Sequence, residues 1–175
     1  MKPSEFKFQP TLVGETISLR ALREDDFDDL YAAASDKKIW EGHPSSDRYK
    51  LSKFKPYFKA SIESQSCVVV IDNQSNKIIG WSRYYHLDKQ PDDISIGFTF
   101  LSRDYWGGVT NRELKTLMVN YALQYFPAVW LHVDIDNIRS QKATLKIGAE
   151  FMGEDDLTIG GKVKKWLCYR LDKSI

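Results

Sequence analysis

The chain has 175 residues, 42% hydrophobic and 28% charged, with a formal net charge of +1. That length suits one domain, residues 1–175, burying roughly 70% of the surface its unfolded form exposes, so neither a disulfide framework nor a structural metal is required. The balanced charge excludes a general polyanion binder, and no run of ~18 apolar residues offers a membrane span, so no nucleic-acid or membrane partner is expected.

The opening Met1-Lys2-Pro3-Ser4-Glu5-Phe6 lacks the apolar run of a signal peptide, and a cytoplasmic location is expected. Thr16 to Leu22 alternates apolar and polar residues and predicts a half-buried strand. A helix follows, with Glu24, Asp25 and Asp26 in its first turn and Phe27, Leu30, Tyr31 and Ala34 on one face. Ser35 to Asp47, with Gly42 and Pro44, reads as a loop around Trp40, Glu41 and His43. Tyr49 to Ile62 is helical in pattern but holds Pro56, where one helix ends or another starts.

Cys67-Val68-Val69-Val70-Ile71 is a β-branched run of the buried-strand type, and the turn cluster Asp72 to Asn76 joins it to Lys77–His86 in a hairpin. After Gln90-Pro91-Asp92, the segment Ile94 to Phe100 places an apolar residue at every second position and Ser95, Gly97 and Thr99 between them. Those small residues admit either a ligand close to the backbone or a bend at Gly97. A long amphipathic helix runs from about Asn111 to Phe126, ahead of Pro127. Val129 to Ile135 predicts a strand, Ile138 to Ile147 a helix ended by Gly148, and Glu150–Met152 and Lys165–Leu171 the last strands, connected around Gly160-Gly161. The order implies an α/β fold, a single mixed, mostly antiparallel sheet of six to seven strands with helices on both faces.

The chemistry concentrates in Arg103 to Glu113. Thr110-Asn111-Arg112-Glu113 fits a capping box, which starts the helix directly after Gly107-Gly108. A helix start carries unpaired N–H groups and partial positive charge, and glycines ahead of it let the backbone wrap an anion such as phosphate. Arg103 and Arg112 add charge. No Lys-Ser or Lys-Thr follows the glycines and no G-x-G-x-x-G follows the first strand, which excludes the P-loop and dinucleotide patterns. Cys67 and Cys168 form no CxxC pair, and His43, His86 and His132 show no metal-ligand spacing. His132 and Asp134 share a strand face, but two residues make no metal site.

In Ile17-Ser18-Leu19-Arg20, Ile96-Gly97-Phe98, Tyr105-Trp106-Gly107, Asn137-Ile138-Arg139-Ser140 and Lys146-Ile147-Gly148-Ala149, taken in order, the chain resembles the GNAT superfamily of acyl-CoA N-acyltransferases, especially the ribosomal-protein-alanine and -serine acetyltransferase branch. The resemblance covers nearly the whole chain. It implies acetyl-CoA (coenzyme A) as cofactor, with Phe98, Phe100 and Leu101 lining the pantetheine, Trp106, Gly107, Gly108, Val109, Thr110 and Asn111 the pyrophosphate, and Asn137 and Ser140 the arm near the thioester. It also implies an amine acceptor, a protein amino terminus or a small amine, and the homodimer common among similar proteins.

The chain departs from that pattern at Val109, where a second glycine is usual, at Ser95, where a glutamate often stands, and at Thr144, where many members carry a tyrosine. Ser140 is then the candidate acid for the leaving thiolate, and Asp93 the first candidate base, with Glu41 and His43 as others. Ser95 and Val109 also motivate the alternative of a catalytically silent acyl-CoA-binding or protein-interaction domain of the same fold.

Overall fold

In the computed structural model, which describes residues 1–43 and 45–172, eight strands form one sheet in the order β1-β2-β3-β4-β5-β6-β8-β7. They are β1 (Leu12–Val13), β2 (Ile17–Ala21), β3 (Cys67–Asp72), β4 (Ile78–Tyr85), β5 (Ile94–Leu101), β6 (Ala128–Asp134), β7 (Glu150–Ile159) and β8 (Lys162–Asp172). The helices are α1 (Phe27–Ala34), α2 (Leu51–Glu63), α3 (Thr110–Ala122) and α4 (Ile138–Lys146). Pro44 of the early loop lies outside the described residues. Every neighbouring pair is antiparallel except β5 and β6.

The β-branched run at the start of β3 sits inside the sheet, and Cys67 to Val70 are all fully buried. Alternation sends Val68 and Val70 to one face, where Leu114 and Met118 of α3 pack with Ile17, Leu19, Ile94 and Ile96. It sends Cys67 and Val69 to the other, with Leu30 of α1, Phe54 and Phe58 of α2, and Trp81. Tyr84 reaches across the first face, its hydroxyl donating to the Met118 carbonyl at 2.7 Å, and fixes α3 on the sheet.

The strand count exceeds the expected six to seven because the short β1 is present. The β7–β8 hairpin is also longer than expected, extending to the turn at Gly160 and Gly161, both at positive φ. Helix α2 passes through Pro56 without a break. The capping box expected at Thr110 does not form. Val109 is the N-cap of α3, and the Glu113 carboxylate instead accepts from the Thr16 amide at 2.9 Å and from the Thr16 hydroxyl. No helix among the described residues is long and apolar enough to cross a membrane.

Candidate active site

Strands β5 and β6 are paired only through Ile94–Val129 and Ser95–Trp130. Beyond those two pairs they diverge, and a cavity of about 490 Å³ opens between them, walled by Ile96–Leu101 of β5, Leu131–Asp134 of β6 and the starts of α3 and α4. A bulge shapes the β5 wall. The register with β4 shifts between Trp81 and Arg83, and Phe98 takes φ +54°. A non-glycine residue held there costs about 1–3 kcal/mol. Two donors hold it, Trp81 Nε1 at 3.0 Å and Tyr57 Oη at 3.2 Å, both given to the Phe98 carbonyl.

The glycine loop and the first turn of α3 line one end of the wedge. The first intrahelical bond is from the Glu113 amide to the Val109 carbonyl, and the amides from Gly107 to Arg112 donate to no other group among the described residues. Gly107 needs its glycine for φ +75°. Gly108 has ordinary φ, and a Cβ there would meet no protein atom within 4 Å, so nothing in the protein itself demands a glycine. Val109, where a second glycine is usual, has φ −81° and is 56% exposed, so its backbone needs no left-handed conformation. Trp106 lines the cavity, with Nε1 donating to the Leu101 carbonyl at 3.0 Å and the Arg139 guanidinium 3.7 Å above its ring. Arg112 lines the same space, whereas Arg103 is drawn away into a 2.6 Å ion pair with Asp36.

Of the other residues expected at the cofactor, Phe98, Phe100, Leu101, Asn111, Asn137 and Ser140 all line the cavity. Val109 and Thr110, expected with them, are not among the residues lining it, although their amides donate to no group among the described residues. Asn137 caps α4, its Oδ1 accepting the Ser140 amide at 3.1 Å, and this local role coexists with its place on the wall. Lys115, unnoticed in the helical pattern, is buried on the same wall, its Nζ donating to Thr99 Oγ1 at 2.7 Å. Burial lowers its pKa to about 7.

Leu131 and Val133 pack with Ala149 and Leu167, so the alternate residues His132 and Asp134 project to the opposite face of β6. There the Tyr85 hydroxyl lies 2.9 Å from His132 Nδ1 and has Ser95 as a second hydrogen-bond partner. His132 Nε2 is buried with no partner among the described residues, and burial lowers the imidazole pKa to about 4. Space at Gly97 is filled by Tyr85, since a Cβ there would stand 2.9 Å from Tyr85 Cε1, so the small residues of β5 accommodate a protein ring.

Asp93, the first candidate base, lies outside the cavity wall. It precedes β5 at the closed end of the wedge, and its carboxylate accepts the Trp130 indole N–H at 2.8 Å. Glu41 is exposed and likewise off the wall. His43 is on the wall, but its Nδ1 accepts the Ser45 amide at 3.0 Å, and burial and then Arg48 lower its pKa to about 3. Asp134 forms an ion pair with Lys164, and no group of three or more metal-ligating residues occurs among the described residues.

The site is thus a sheet split between β5 and β6 with partner-free amides of a helix start beside it. Comparison with known proteins bears on this directly. A family model described as acetyltransferase (GNAT) domain matches residues 16–150. Among solved structures, a GCN5-related N-acetyltransferase from Brucella melitensis superposes with TM-score 0.76 at 19% identity, covering 97% of this chain and 83% of the other. A Vibrio cholerae protein provisionally described as a ribosomal-protein-serine acetyltransferase gives 0.74 at 16% identity, with coverage of 99% and 100%. The microcin C7 self-immunity acetyltransferase MccE, solved with acetyl-CoA and AMP, gives 0.74 at 14% identity, with coverage of 95% and 99%. No curated protein matches. The chain belongs to the GNAT acetyltransferase family and is an N-acetyltransferase.

Proposed function

We propose that the protein transfers an acetyl group from acetyl-CoA to a primary amine by direct attack on the thioester. The observation that carries this reading is the row of amides from Gly107 to Arg112 that no protein group accepts, in a loop whose Gly107, Gly108, Asn111 and Arg112 line the cavity beside the diverging strands. A pyrophosphate on those amides is favoured by the helix dipole and by Arg112. Leu101, Phe100 and Phe98 of β5 would hold the pantetheine arm, with Asn137 and Ser140 on the facing wall. Bound acetyl-CoA supplies the activated acyl carbon and a thiolate leaving group.

The remaining steps belong to the protein. Neither cysteine lines the cavity, which favours attack by the amine itself over an acyl-enzyme. Backbone N–H groups of β5, unpaired on the side facing β6, are the donors for the oxyanion of the tetrahedral intermediate. His132 replaces Asp93 as our candidate base. In the tautomer with Nδ1–H donating to Tyr85 Oη, Nε2 keeps a lone pair, and its depressed pKa keeps the ring neutral at physiological pH. It receives, through water, the proton the nitrogen loses as it becomes an amide. Ser140 is the acid nearest the expected thiolate.

The test is thiol release from acetyl-CoA over a panel of peptides and small amines, together with thermal unfolding with and without CoA. At about 100 times its dissociation constant CoA should add roughly 2.7 kcal/mol of stability. Absence of that stabilisation overturns the cofactor assignment. Stabilisation with no turnover on any amine favours a silent acyl-CoA-binding domain instead.

A further inference from the structure

On the His132 side of the sheet a second cavity, of about 510 Å³, adjoins the first and shares Ser45, Arg48, Phe98, Gly160 and Lys162 with it. Two arginines are fixed in its wall by aromatic faces. The Arg48 guanidinium lies 3.5 Å from the ring centre of Tyr57, and that of Arg83 lies 4.7 Å from the ring centre of Phe98. The two residues are themselves connected, because Tyr57 Oη donates to the backbone carbonyl of Phe98. Arg83 is further held by Nε donating to Ser66 Oγ at 3.0 Å.

Neither arginine has a carboxylate within 4.0 Å among the described residues. The carboxylate on this wall, Asp47, faces Lys53 at 4.0 Å, and Lys162 at the hairpin turn adds a further cation. Half-buried guanidiniums stacked on rings have already lost much of their side-chain freedom, and their planar forks match carboxylate and phosphate oxygens in pairs. Fixed cations without an internal counter-ion are complementary to an anion supplied from outside.

We infer that this cavity is the acceptor subsite and that it selects amines bearing a carboxylate or phosphate, held between Arg48 and Arg83 so that the amine passes Phe98 toward His132. The inference rests on the acetyl-transfer reading above and narrows its acceptor to an acidic amine. Lys164, by contrast, is neutralised by Asp134 and takes no part in the recognition.

The experiment compares matched amines on wild type, Arg48→Gln and Arg83→Gln: tripeptides beginning with Glu or Gln, and phosphoethanolamine or ethanolamine. The expected result is a kcat/KM at least 30-fold higher for the acidic member of one pair, falling below threefold in each variant, with CoA stabilisation unchanged in both. The responding pair identifies carboxylate or phosphate as the anion. Equal rates on acidic and neutral members, or a preference that survives both substitutions, overturns the inference while leaving acetyl transfer standing. Should no amine turn over, calorimetric titration of the CoA-loaded protein with the same four probes decides it, and equal affinities for acidic and neutral members reject the site. Loss of CoA stabilisation in wild type is a separate outcome that removes the acetyl-transfer reading and the inference with it.

Discussion

Gly97 and the ring of Tyr85 occupy one space: a Cβ on residue 97 would stand 2.9 Å from Tyr85 Cε1. The hydroxyl of that ring is the group 2.9 Å from His132 Nδ1. A methyl at position 97 therefore has to displace the tyrosine from the histidine. Gly97→Ala is expected to lower kcat by about the factor that Tyr85→Phe does, roughly tenfold for loss of a positioning hydrogen bond, while CoA stabilisation persists. Steady-state kinetics beside thermal shift decides this, and a full-rate Gly97→Ala enzyme contradicts it.

The two glycines of the loop make opposite demands. Gly107 sits at φ +75°, where an L-residue costs about 1–2 kcal/mol, so Gly107→Ala should lower stability by that amount in urea unfolding. Gly108 has no such constraint and open space around it. Gly108→Leu should unfold like wild type yet weaken CoA binding at least tenfold, measured by titration calorimetry. Unchanged affinity in that variant would show that the loop does not approach the pyrophosphate.

His132→Asn should reduce kcat by about 10²- to 10⁴-fold with little effect on CoA affinity, the range for removing a general base. The pH profile carries its own signature. Because the folded imidazole titrates near 4, the enzyme adds no inflection near the usual histidine value, and kcat/KM should climb toward the pKa of the amine. An acid limb centred near 6.5 and abolished in His132→Asn speaks against the buried, neutral histidine. Stability has the matching sign. The unfolded chain binds the proton below about 6.5 and the folded one only near 4, so this residue makes the protein less stable as pH falls through that window.

Lys115 acts with the same sign at higher pH. Its folded pKa is about 7 against 10.5 for the free side chain. Between those values the unfolded state is protonated and the folded state neutral, so stability increases as pH rises from about 7 to about 10.5. Lys115→Met should flatten that slope and be more stable near neutrality, by on the order of 4 kcal/mol if the whole shift is relieved. Urea denaturation at about pH 7 and about pH 9.5 gives the comparison, and a variant that keeps the slope places the effect elsewhere.

Features set by neighbours along the chain are legible in the sequence. The valine run of β3, the apolar face of α3 and the glycines ahead of it report on local backbone and burial, and each stands where its pattern puts it. Features that depend on distant partners are not. Glu113 satisfies the local rule for a capping box, yet Thr16, 97 residues away, takes its carboxylate. Asp93 has the right parity to share a face with Ser95, but strand pairing begins only at Ile94 and Trp130 captures the side chain. Lys115 has the pattern of a solvated helix residue, and only the sheet packed over it makes it buried. Arg48 and Arg83, far apart in the chain, line one cavity only once the chain is folded, each beside an aromatic ring.

The split between β5 and β6 opens on both sides of the sheet, amides and α4 on one side, His132 and the arginines on the other. On the proposed assignment donor and acceptor enter by separate doors, and neither has to vacate before its counterpart arrives. The two should assemble as a ternary encounter, with double-reciprocal velocity plots that intersect and do not run parallel.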